Sequence, residues 1–217
     1  MQRVIRLLGL GVLAAAVCVA LPGLAGAGSP ATFCDGTLAA GTYQRVVVPA
    51  DAVCLSEGPV TIRGGLYVQH GATFVLGSEE NPAPTGTIRG GVHATNAASV
   101  QIHFTTINGG VDIRGGSGPF GGPFDVTWNA IEDNRINGGI TMVGYDGFWN
   151  GVIRNTVNGS VNLNGNVVAD PDGNEFVTNT IHGNLNCAGN DPAPQVGDSE
   201  GLPNQVTGHK TGQCTGL

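Results

Sequence analysis

A seven-residue phrase that recurs through the chain constrains the fold more than any other feature. Each copy reads apolar, polar, Gly, small, apolar, any residue, apolar, and the full copies occupy residues 62–68, 88–94, 107–113, 136–142, 157–163 and 181–187. Residues 206–208 keep only the start of a seventh copy, and successive first glycines lie 19 to 29 residues apart. Short strands that repeat at this period are typical of a β-solenoid, in which each unit buries its apolar side only by stacking on its neighbours.

The first 28 residues have the pattern of a signal peptide and not of a folded element. Arg3 and Arg6 form a positive n-region, residues 7–21 are mostly apolar, and Ala25-Gly26-Ala27 fits a cleavage site. The apolar run is interrupted by glycines and is short for a membrane anchor. We therefore predict a secreted or cell-surface protein with no membrane segment after cleavage.

The charge of the remaining chain excludes one large class of partners. Of 9 Lys and Arg residues, Arg3 and Arg6 belong to the predicted signal, so 7 basic residues face 16 Asp and Glu residues, a formal charge of −9. A protein with this excess of acid is not expected to bind nucleic acid or anionic membrane surfaces. No long helical pattern follows the signal, and we expect one domain.

Four cysteines follow the predicted cleavage site, and export makes disulfides the expected state. Three pairings are possible. We favour Cys34–Cys54 and Cys187–Cys214, because each pair brackets one end of the solenoid. No Cys-x-x-Cys is present. Four histidines lack metal spacing and are expected at the surface or in turns: His70, His103, His182 and His209. We predict neither a metal nor a cofactor.

A second feature of the sequence recurs at a fixed distance from the motif and supports the same alignment of the coils. Four residues before the motif glycine, five consecutive coils place a residue that can hydrogen-bond along the stack: Thr105, Asn134, Asn155, Asn179 and Asn204. Stacked Asn side chains form ladders in structures with stacked strands. The alternative is that Asn is simply a common turn residue. A further strand is expected between the motifs in each coil, for example at 72–76, 100–104 and 124–128.

The two ends of the chain carry a resemblance to a known group of proteins. The segments Cys34-Asp35-Gly36-Thr37-Leu38 and Gly208-His209-Lys210-Thr211-Gly212-Gln213-Cys214, with the repeated motif between them, resemble secreted right-handed parallel β-helix proteins of actinobacteria. The resemblance covers nearly all of the chain after the signal, and it implies export and fold but no active site, because that group is largely uncharacterised.

Together these features predict an all-β chain that forms a single right-handed parallel β-helix of about six to seven coils with disulfide-stapled ends. The predicted organisation is a signal peptide at 1–28, an N-terminal cap at 29–58, the β-helix at 59–189 and a C-terminal loop and cap at 190–217.

One stacked column of side chains is a candidate binding patch. Tyr67, His93 and Asp112 lie three residues after the motif glycine in consecutive coils, and Arg63 and Arg89 lie one residue before it. If the register holds, an aromatic ring, an imidazole, a carboxylate and two guanidinium groups share one wall, which would suit an acidic sugar. The alternative is a solvated surface on which Asp112 pairs with His93.

The aromatic residues form a second candidate site. Trp128, Tyr145 and Trp149 are close in sequence and could form a platform on which sugar rings stack, or they could pack inside the solenoid and under loops. Among the acidic residues, Glu132 and Asp133 are adjacent, so on an extended strand they would point to opposite faces.

These observations favour an exported, non-catalytic structural or binding module, with polysaccharide or cell-wall glycan as the expected ligand class. Catalytic signatures of β-helix enzymes are not found, and fold alone is a weak guide to activity. Two alternatives stay open: a polysaccharide lyase or hydrolase acting on acidic sugars, for which Asp112, His93 and Arg89 are the first residues to test, and a self-assembling surface protein.

Overall fold

The computed structural model describes residues 30–117, 128–196 and 201–217. The predicted signal peptide at 1–28 lies outside the described residues. Within the described residues the protein is all-β, without an α-helix, and one 3₁₀ helix, Gln213–Gly216, follows the last strand. No helix in this part of the chain is long and apolar enough to cross a membrane.

The strands follow one another at short intervals. In chain order they are β1 Ala31–Phe33, β2 Gly36–Thr37, β3 Gly41–Tyr43, β4 Arg45–Val48, β5 Val53–Ser56, β6 Val60–Ile62, β7 Leu66–Val68, β8 Thr73–Leu76, β9 Gly86–Ile88, β10 Val92–Thr95, β11 Ser99–His103, β12 Thr105–Ile107, β13 Val111–Arg114, β14 Trp128–Glu132, β15 Arg135–Ile136, β16 Ile140–Val143, β17 Trp149–Ile153, β18 Thr156–Val157, β19 Val161–Asn164, β20 Asn174–Val177, β21 Thr180–Ile181, β22 Leu185–Ala188, β23 Gln205–Val206 and β24 Lys210–Gly212.

As far as β22, every third strand returns to the same sheet, and the strands together build three parallel sheets. The nine-stranded sheet runs β1-β4-β7-β10-β13-β16-β19-β22-β24, the seven-stranded sheet runs β2-β5-β8-β11-β14-β17-β20, and the eight-stranded sheet runs β3-β6-β9-β12-β15-β18-β21-β23. This order is consistent with the predicted β-solenoid. The region 29–58 contributes β1 to β5 to these sheets, and the region 190–217 contributes β23 and β24.

The repeated motif forms the corner between the eight-stranded and the nine-stranded sheets. Its first apolar residue ends a strand of the former, and its second begins a strand of the latter. Stacking in register places these residues in two buried columns, Ile62-Ile88-Ile107-Ile136-Val157-Ile181 and Leu66-Val92-Val111-Ile140-Val161-Leu185. Burial of each such side chain contributes about 1.5–3 kcal/mol, which no single coil could gain alone.

The motif glycines are required because consecutive corners touch. A Cβ on Gly90 would lie 1.8 Å from the carbonyl oxygen of Gly64 in the coil before, and a Cβ on Gly138 would lie 2.7 Å from the backbone nitrogen of Gly110. Neither contact can be relieved by moving a side chain, because the obstructing atoms are backbone. The glycine at this position therefore permits close stacking of the coils.

Both predicted disulfides are present. Cys34 pairs with Cys54 in β5, and Cys187 in β22 pairs with Cys214 in the 3₁₀ helix, with Cα–Cα distances of 5.5 and 5.3 Å. The predicted ladder is also confirmed by hydrogen bonds from each backbone N–H to the next Asn side chain, from Thr105 through Asn204.

Of the strand expected at 124–128, residues 124–127 lie outside the described residues, which exclude 118–127. Its last residue, Trp128, begins the described strand β14, Trp128–Glu132. This strand matters for the site described below, because it carries both Trp128 and Glu132.

Candidate functional site

A groove of about 630 Å³ lies on the outer face of the seven-stranded sheet. Its floor comes from the outward side chains of β8, β11, β14 and β17, and one side comes from the segment between β8 and β9. Its lining combines aromatic, acidic and amide side chains, chiefly Trp128, Phe148, Trp149, Glu79, Glu132 and Gln101.

Strand alternation decides which side chains reach this groove. In β14, Ile131 belongs to the buried core, so Trp128, Ala130 and Glu132 point to the opposite, outer face. Trp128 and Glu132 therefore lie four residues apart on one face of one strand, at two ends of the groove floor.

Two tryptophans lie side by side along one edge of the groove. Trp128 in β14 and Trp149 in β17 are direct register partners, and both are half-buried. Neighbouring strands lie about 4.7–4.9 Å apart, so side chains in direct register are adjacent. Trp128 and Trp149 therefore form a continuous aromatic edge, which we call the tryptophan edge.

Gly151 allows the indole of Trp149 to lie flat on the sheet. A Cβ on Gly151 would lie 2.0 Å from Cη2 of Trp149, so the ring covers the space that any other residue would fill. In this position the Nε1–H of Trp149 donates a hydrogen bond of 3.0 Å to Oε1 of Glu175 on the next strand. The indole is thus fixed at its polar end while its ring lines the groove.

An acidic cluster lies at the end of the groove away from the tryptophan edge. One carboxylate oxygen each of Glu79, Glu132 and Asp133 lie within 4.8 Å of one another. The guanidinium of Arg154 contacts all three: it pairs with Asp133 through Nε at 2.8 Å, with Glu132 through Nη2 at 3.2 Å, and with Glu79. We call these four residues the carboxylate cluster.

The backbone explains how Glu132 and Asp133 share a site although they are adjacent. Asp133 has a φ of 57° and Arg154 a φ of 57°, so both lie in the left-handed region at the corner after the strand. The expectation that Glu132 and Asp133 point to opposite faces is wrong, because it assumes that the strand continues through Asp133. Phe104 and Thr178 adopt the same conformation, with φ of 52° and 59°, at the equivalent corners of the neighbouring coils, so it is a feature of the corner and not of this site alone.

The members of the carboxylate cluster differ in exposure and in acidity. The side chain of Glu132 is only 3% exposed, whereas that of Glu79 is 54% exposed. Burial, together with the hydrogen bond and the charge of Glu79, raises the pKa of Glu132 to about 9. The hydrogen bond with Glu132, together with Arg154, lowers the pKa of Glu79. Near neutral pH the pair therefore holds one proton, on Glu132.

His103 is a buried neighbour of the cluster, so its expected place at the surface is wrong. It is 5% exposed, its Nδ1 lies 3.7 Å from Oε2 of Glu132, and this nitrogen has no hydrogen-bond partner among the described residues. Burial lowers the pKa of His103, so the ring is neutral near pH 7. This nitrogen is itself enclosed by protein atoms, so it does not face the open groove.

The carboxylate cluster does not require a metal ion to neutralise its charge. Three carboxylates at this spacing offer the oxygen ligands that Ca²⁺ takes. However, Arg154 contacts all three of them, and the pKa of Arg154 is raised chiefly by its hydrogen bond to Asp133. A cation bound between these oxygens would have to displace a guanidinium that already satisfies them.

The predicted column on the nine-stranded sheet has the expected register but not the expected contacts. His93 pairs in register with Tyr67 on one side and with Asp112 on the other. The rings of Tyr67 and His93 stack with centroids 5.1 Å apart, and Arg45 covers Tyr67 at 5.3 Å. Asp112 forms an ion pair of 2.9 Å with Arg114. These side chains largely contact one another.

The predicted arginines of this column lie at the neighbouring corner. Arg63 and Arg89 are exposed, and Arg63 borders a shallow depression of about 250 Å³ with Gln44, Arg45 and Gly64. The depression is smaller than the groove and lacks a lining aromatic side chain. It is therefore the weaker of the two candidate sites.

Tyr145 does not belong to an exposed platform, and this part of the sequence-based prediction is wrong. Its side chain is completely buried, and its hydroxyl donates a hydrogen bond of 2.9 Å to the backbone carbonyl of Ala98. Tyr145 thus fixes the corner above the strands, whereas Trp128 and Trp149 line the groove.

Sequence reasoning missed Glu79, His103 and Arg154 as site residues. Glu79 lies in the insertion between β8 and β9, whose path no periodicity defines. A weak signal existed for the other two, because His103 ends a strand of the same sheet as Glu132 and Arg154 directly follows another. The strand bounds were needed to recognise this.

No protein-family model, curated protein or solved structure matches this chain.

Proposed function

We propose that the protein is an exported carbohydrate-binding module and that a neutral glycan binds in the groove along the tryptophan edge. The observation that supports this most is the register pairing of Trp128 with Trp149 on an outward sheet face. Sugar rings have apolar C–H faces and polar rims. An aromatic edge bordered by amide and carboxyl groups offers a partner to both.

The polar lining supports recognition of hydroxyl groups. Gln101 lies on the groove floor between the tryptophan edge and the carboxylate cluster, and Glu57 lies at the rim. Carboxylates accept hydrogen bonds from sugar hydroxyls, and an amide both donates and accepts. The groove volume is in the range of sites that take a ligand of a few sugar rings.

The charge of the groove favours a neutral glycan over an acidic one. Glu57, Glu79, Glu80 and Glu132 line it, and Arg154 is the cation of the adjoining carboxylate cluster. Uronic acids or sulfated sugars would be repelled by the ionised members of this set. The proposal therefore moves the expected ligand from the acidic sugar suggested by Arg63 and Arg89 to an uncharged polysaccharide.

The same proposal includes export and a resemblance to secreted actinobacterial β-helix proteins. It also includes a right-handed sense of winding and a count of six to seven coils. Two disulfides support an oxidising compartment. Right-handed crossovers between parallel strands are found almost without exception.

The test is a glycan-array screen of the protein, followed by calorimetric titration of each hit. We expect binding to one or more neutral glycans, and Trp149→Ala should weaken it by about tenfold or more, equivalent to about 1.4 kcal/mol. Tyr67→Ala is the matched control, because it removes an aromatic side chain on the nine-stranded sheet and should leave affinity unchanged. Binding confined to acidic glycans and lost in Arg63→Ala would contradict the proposal and favour the depression near Arg63.

A further inference from the structure

We propose that the outer face of the eight-stranded sheet binds a second ligand, an acidic polysaccharide, through Arg45, Arg63 and Arg89. We call these three residues the arginine corner, because they lie where this sheet meets the nine-stranded sheet. The inference goes beyond glycan binding in the groove and does not depend on it, since the groove lies on the seven-stranded sheet.

The first argument is that the eight-stranded sheet is free of acidic residues. None of its eight strands contains Asp or Glu, and the residue directly after each strand is never acidic. The whole chain nevertheless carries 16 Asp and Glu residues. Threonines occupy most positions along the middle of the face, as in the register Thr61-Thr87-Thr106. An anion that approaches this face therefore meets hydroxyl, amide and guanidinium groups and no carboxylate.

The second argument is that Arg63 and Arg89 are adjacent and unpaired. They directly follow Ile62 and Ile88, which are register partners in β6 and β9. Neighbouring strands lie about 4.7–4.9 Å apart, so the two arginines occupy adjacent positions on consecutive coils. Both are exposed, and neither forms an ion pair or a side-chain hydrogen bond with a described residue. Because like charges opposite one another destabilise a strand pair, an anion shared by the two arginines would remove this repulsion.

The third argument is a row of asparagines that continues from Arg89. Nδ2 of Asn158 donates to Oδ1 of Asn137 at 2.8 Å, and Nδ2 of Asn137 donates to Oδ1 of Asn108 at 2.7 Å. The oxygen of Asn108 thus faces Asn137, which leaves its Nδ2 toward Arg89 without a hydrogen-bond partner among the described residues. Arg63, Arg89 and Asn108 therefore present unpaired donors on three consecutive coils, and the oxygens of an anionic group accept from such donors.

The depression beside Arg63 provides a place for one anionic group. It has a volume of about 250 Å³ and is lined by Gln44, Arg45, Arg63 and Gly64. The guanidinium carbon of Arg45 lies 5.3 Å from the ring centroid of Tyr67, so the protein already positions one of the two guanidinium groups. Guanidinium groups bind carboxylates and related oxyanions through a fixed fork of donors.

The extent of the arginine corner favours a polysaccharide over nucleic acid or a membrane. The three arginines span three coils, about 10 Å along the solenoid at the usual strand spacing. A DNA duplex or an anionic membrane surface would extend past this corner and meet the acidic residues of the other faces, which repel it. A flexible glycan chain can place its acidic groups on the arginine corner and its hydroxyl groups against the threonines.

The test is calorimetric titration of the protein with oligogalacturonate, which carries carboxylates, and with a sulfated oligosaccharide. Methyl-esterified oligogalacturonate is the uncharged match. We expect at least one charged oligosaccharide to bind, with an affinity that falls as salt is added, and the methyl ester not to bind. Which of the two charged ligands binds more tightly identifies the preferred acidic group. Arg63→Gln and Arg89→Gln should each weaken binding by about fivefold, the upper range for an exposed ion pair.

Arg114→Gln is the matched control, because it makes the same change in net charge at an exposed arginine that already pairs with Asp112. It should weaken binding by less than about twofold. Equal weakening in Arg114→Gln and Arg89→Gln would overturn the proposal, since the effect would then come from net charge alone. Absence of binding to both charged oligosaccharides would overturn it too, and so would equal binding of the methyl ester.

Two further results would contradict the assigned ligand or its place. A DNA duplex that binds as tightly as the charged oligosaccharides would overturn the choice of a polysaccharide. Binding of the charged oligosaccharides that is lost in Trp149→Ala and kept in Arg89→Gln would place them in the groove instead. Binding of neutral glycans along the tryptophan edge is measured separately, so failure at the arginine corner leaves that proposal standing.

Discussion

The side-chain carbonyl of Asn155 accepts a hydrogen bond of 3.0 Å from the backbone N–H of Asn134 in the preceding coil. The Nδ2 of Asn155 also donates to the backbone carbonyl of Ile131 at 2.6 Å. One buried side chain thus satisfies two backbone groups at a corner where the strand ladder is interrupted. The same contact repeats at Asn179 and Asn204, so the ladder links successive coils.

Replacing Asn155 by Leu should therefore destabilise the protein strongly. It leaves the buried N–H of Asn134 and the carbonyl of Ile131 without these partners, at about 1–3 kcal/mol each, so we expect a loss of about 2–6 kcal/mol in the free energy of unfolding. Urea denaturation monitored by far-UV circular dichroism measures it.

Asn150 is the matched control, because it is also completely buried but its side-chain atoms have no hydrogen-bond partner among the described residues. Asn150→Leu removes unsatisfied polar atoms and should change stability by less than about 1 kcal/mol or increase it. Equal destabilisation by both changes would show that the ladder contributes nothing beyond packing.

The repeat made the fold predictable because it encodes stacking directly. Gly90 and Gly138 mark a position where only a residue without a Cβ fits against the preceding coil. The ladder asparagines mark the preceding corner of each coil, four residues before the motif glycine. Such signals recur at a fixed offset, so insertions of different length between them do not obscure the register. The path of an insertion carries no such repeat, which is why the position of Glu79 could not be predicted.

Removing either disulfide should weaken the end of the solenoid that it closes. The Cys34–Cys54 and Cys187–Cys214 bridges span 20 and 27 residues, and loops of this size contribute about 3 kcal/mol in the chain-entropy model. We expect Cys34→Ala with Cys54→Ala to lose about this amount. Hydrogen exchange should accelerate first in β1 to β5 and remain slow in β13 to β19. Uniform acceleration along the chain would contradict a local effect of the bridge.

The candidate site was only partly predictable, for a reason of local geometry. The sequence places Trp128, Trp149 and Glu132 near one another along the chain, but only the strand bounds put Trp128 and Glu132 on one face. Strand alternation explains why Trp149 faces the groove. It does not predict the burial of Tyr145, because Tyr145 lies at a corner, follows the left-handed Gly144 and turns into the interior. Corners break the periodicity on which sequence reasoning relies.

Adding one methyl group at Gly151 should displace the tryptophan edge. In Gly151→Ala the new Cβ would overlap Cη2 of Trp149, so the indole must leave the sheet and lose its hydrogen bond to Glu175. In a Trp128→Phe background, where Trp149 is the remaining tryptophan, we expect its fluorescence emission to shift to longer wavelength. Glu175→Gln keeps an acceptor oxygen and should leave the spectrum unchanged. An unshifted spectrum in Gly151→Ala would contradict the flat placement of the ring.

The proton held by Glu132 makes stability depend on pH in a direction that can be derived. The pKa of Glu132 is raised from 4.5 to about 9 in the folded protein, so between these values the folded chain keeps a proton that the unfolded chain has lost. Stability must then fall as pH rises through this window. His103 acts in the opposite sense, because its lowered pKa adds stability as pH rises to its ordinary value of 6.5 and nothing above it. The range from pH 7 to 9 therefore isolates Glu132.

Glu132→Gln should remove this dependence, because the amide is neutral at every pH and still donates a hydrogen bond to Glu79. From pH 7 to 9 we expect the free energy of unfolding of the unsubstituted protein to fall by up to about 1.4 kcal/mol per pH unit, while that of Glu132→Gln stays nearly level. Glu80→Gln should follow the unsubstituted protein. Denaturant titrations at pH 7, 8 and 9 measure the difference. Parallel curves for all three proteins would mean that Glu132 is already ionised at neutral pH.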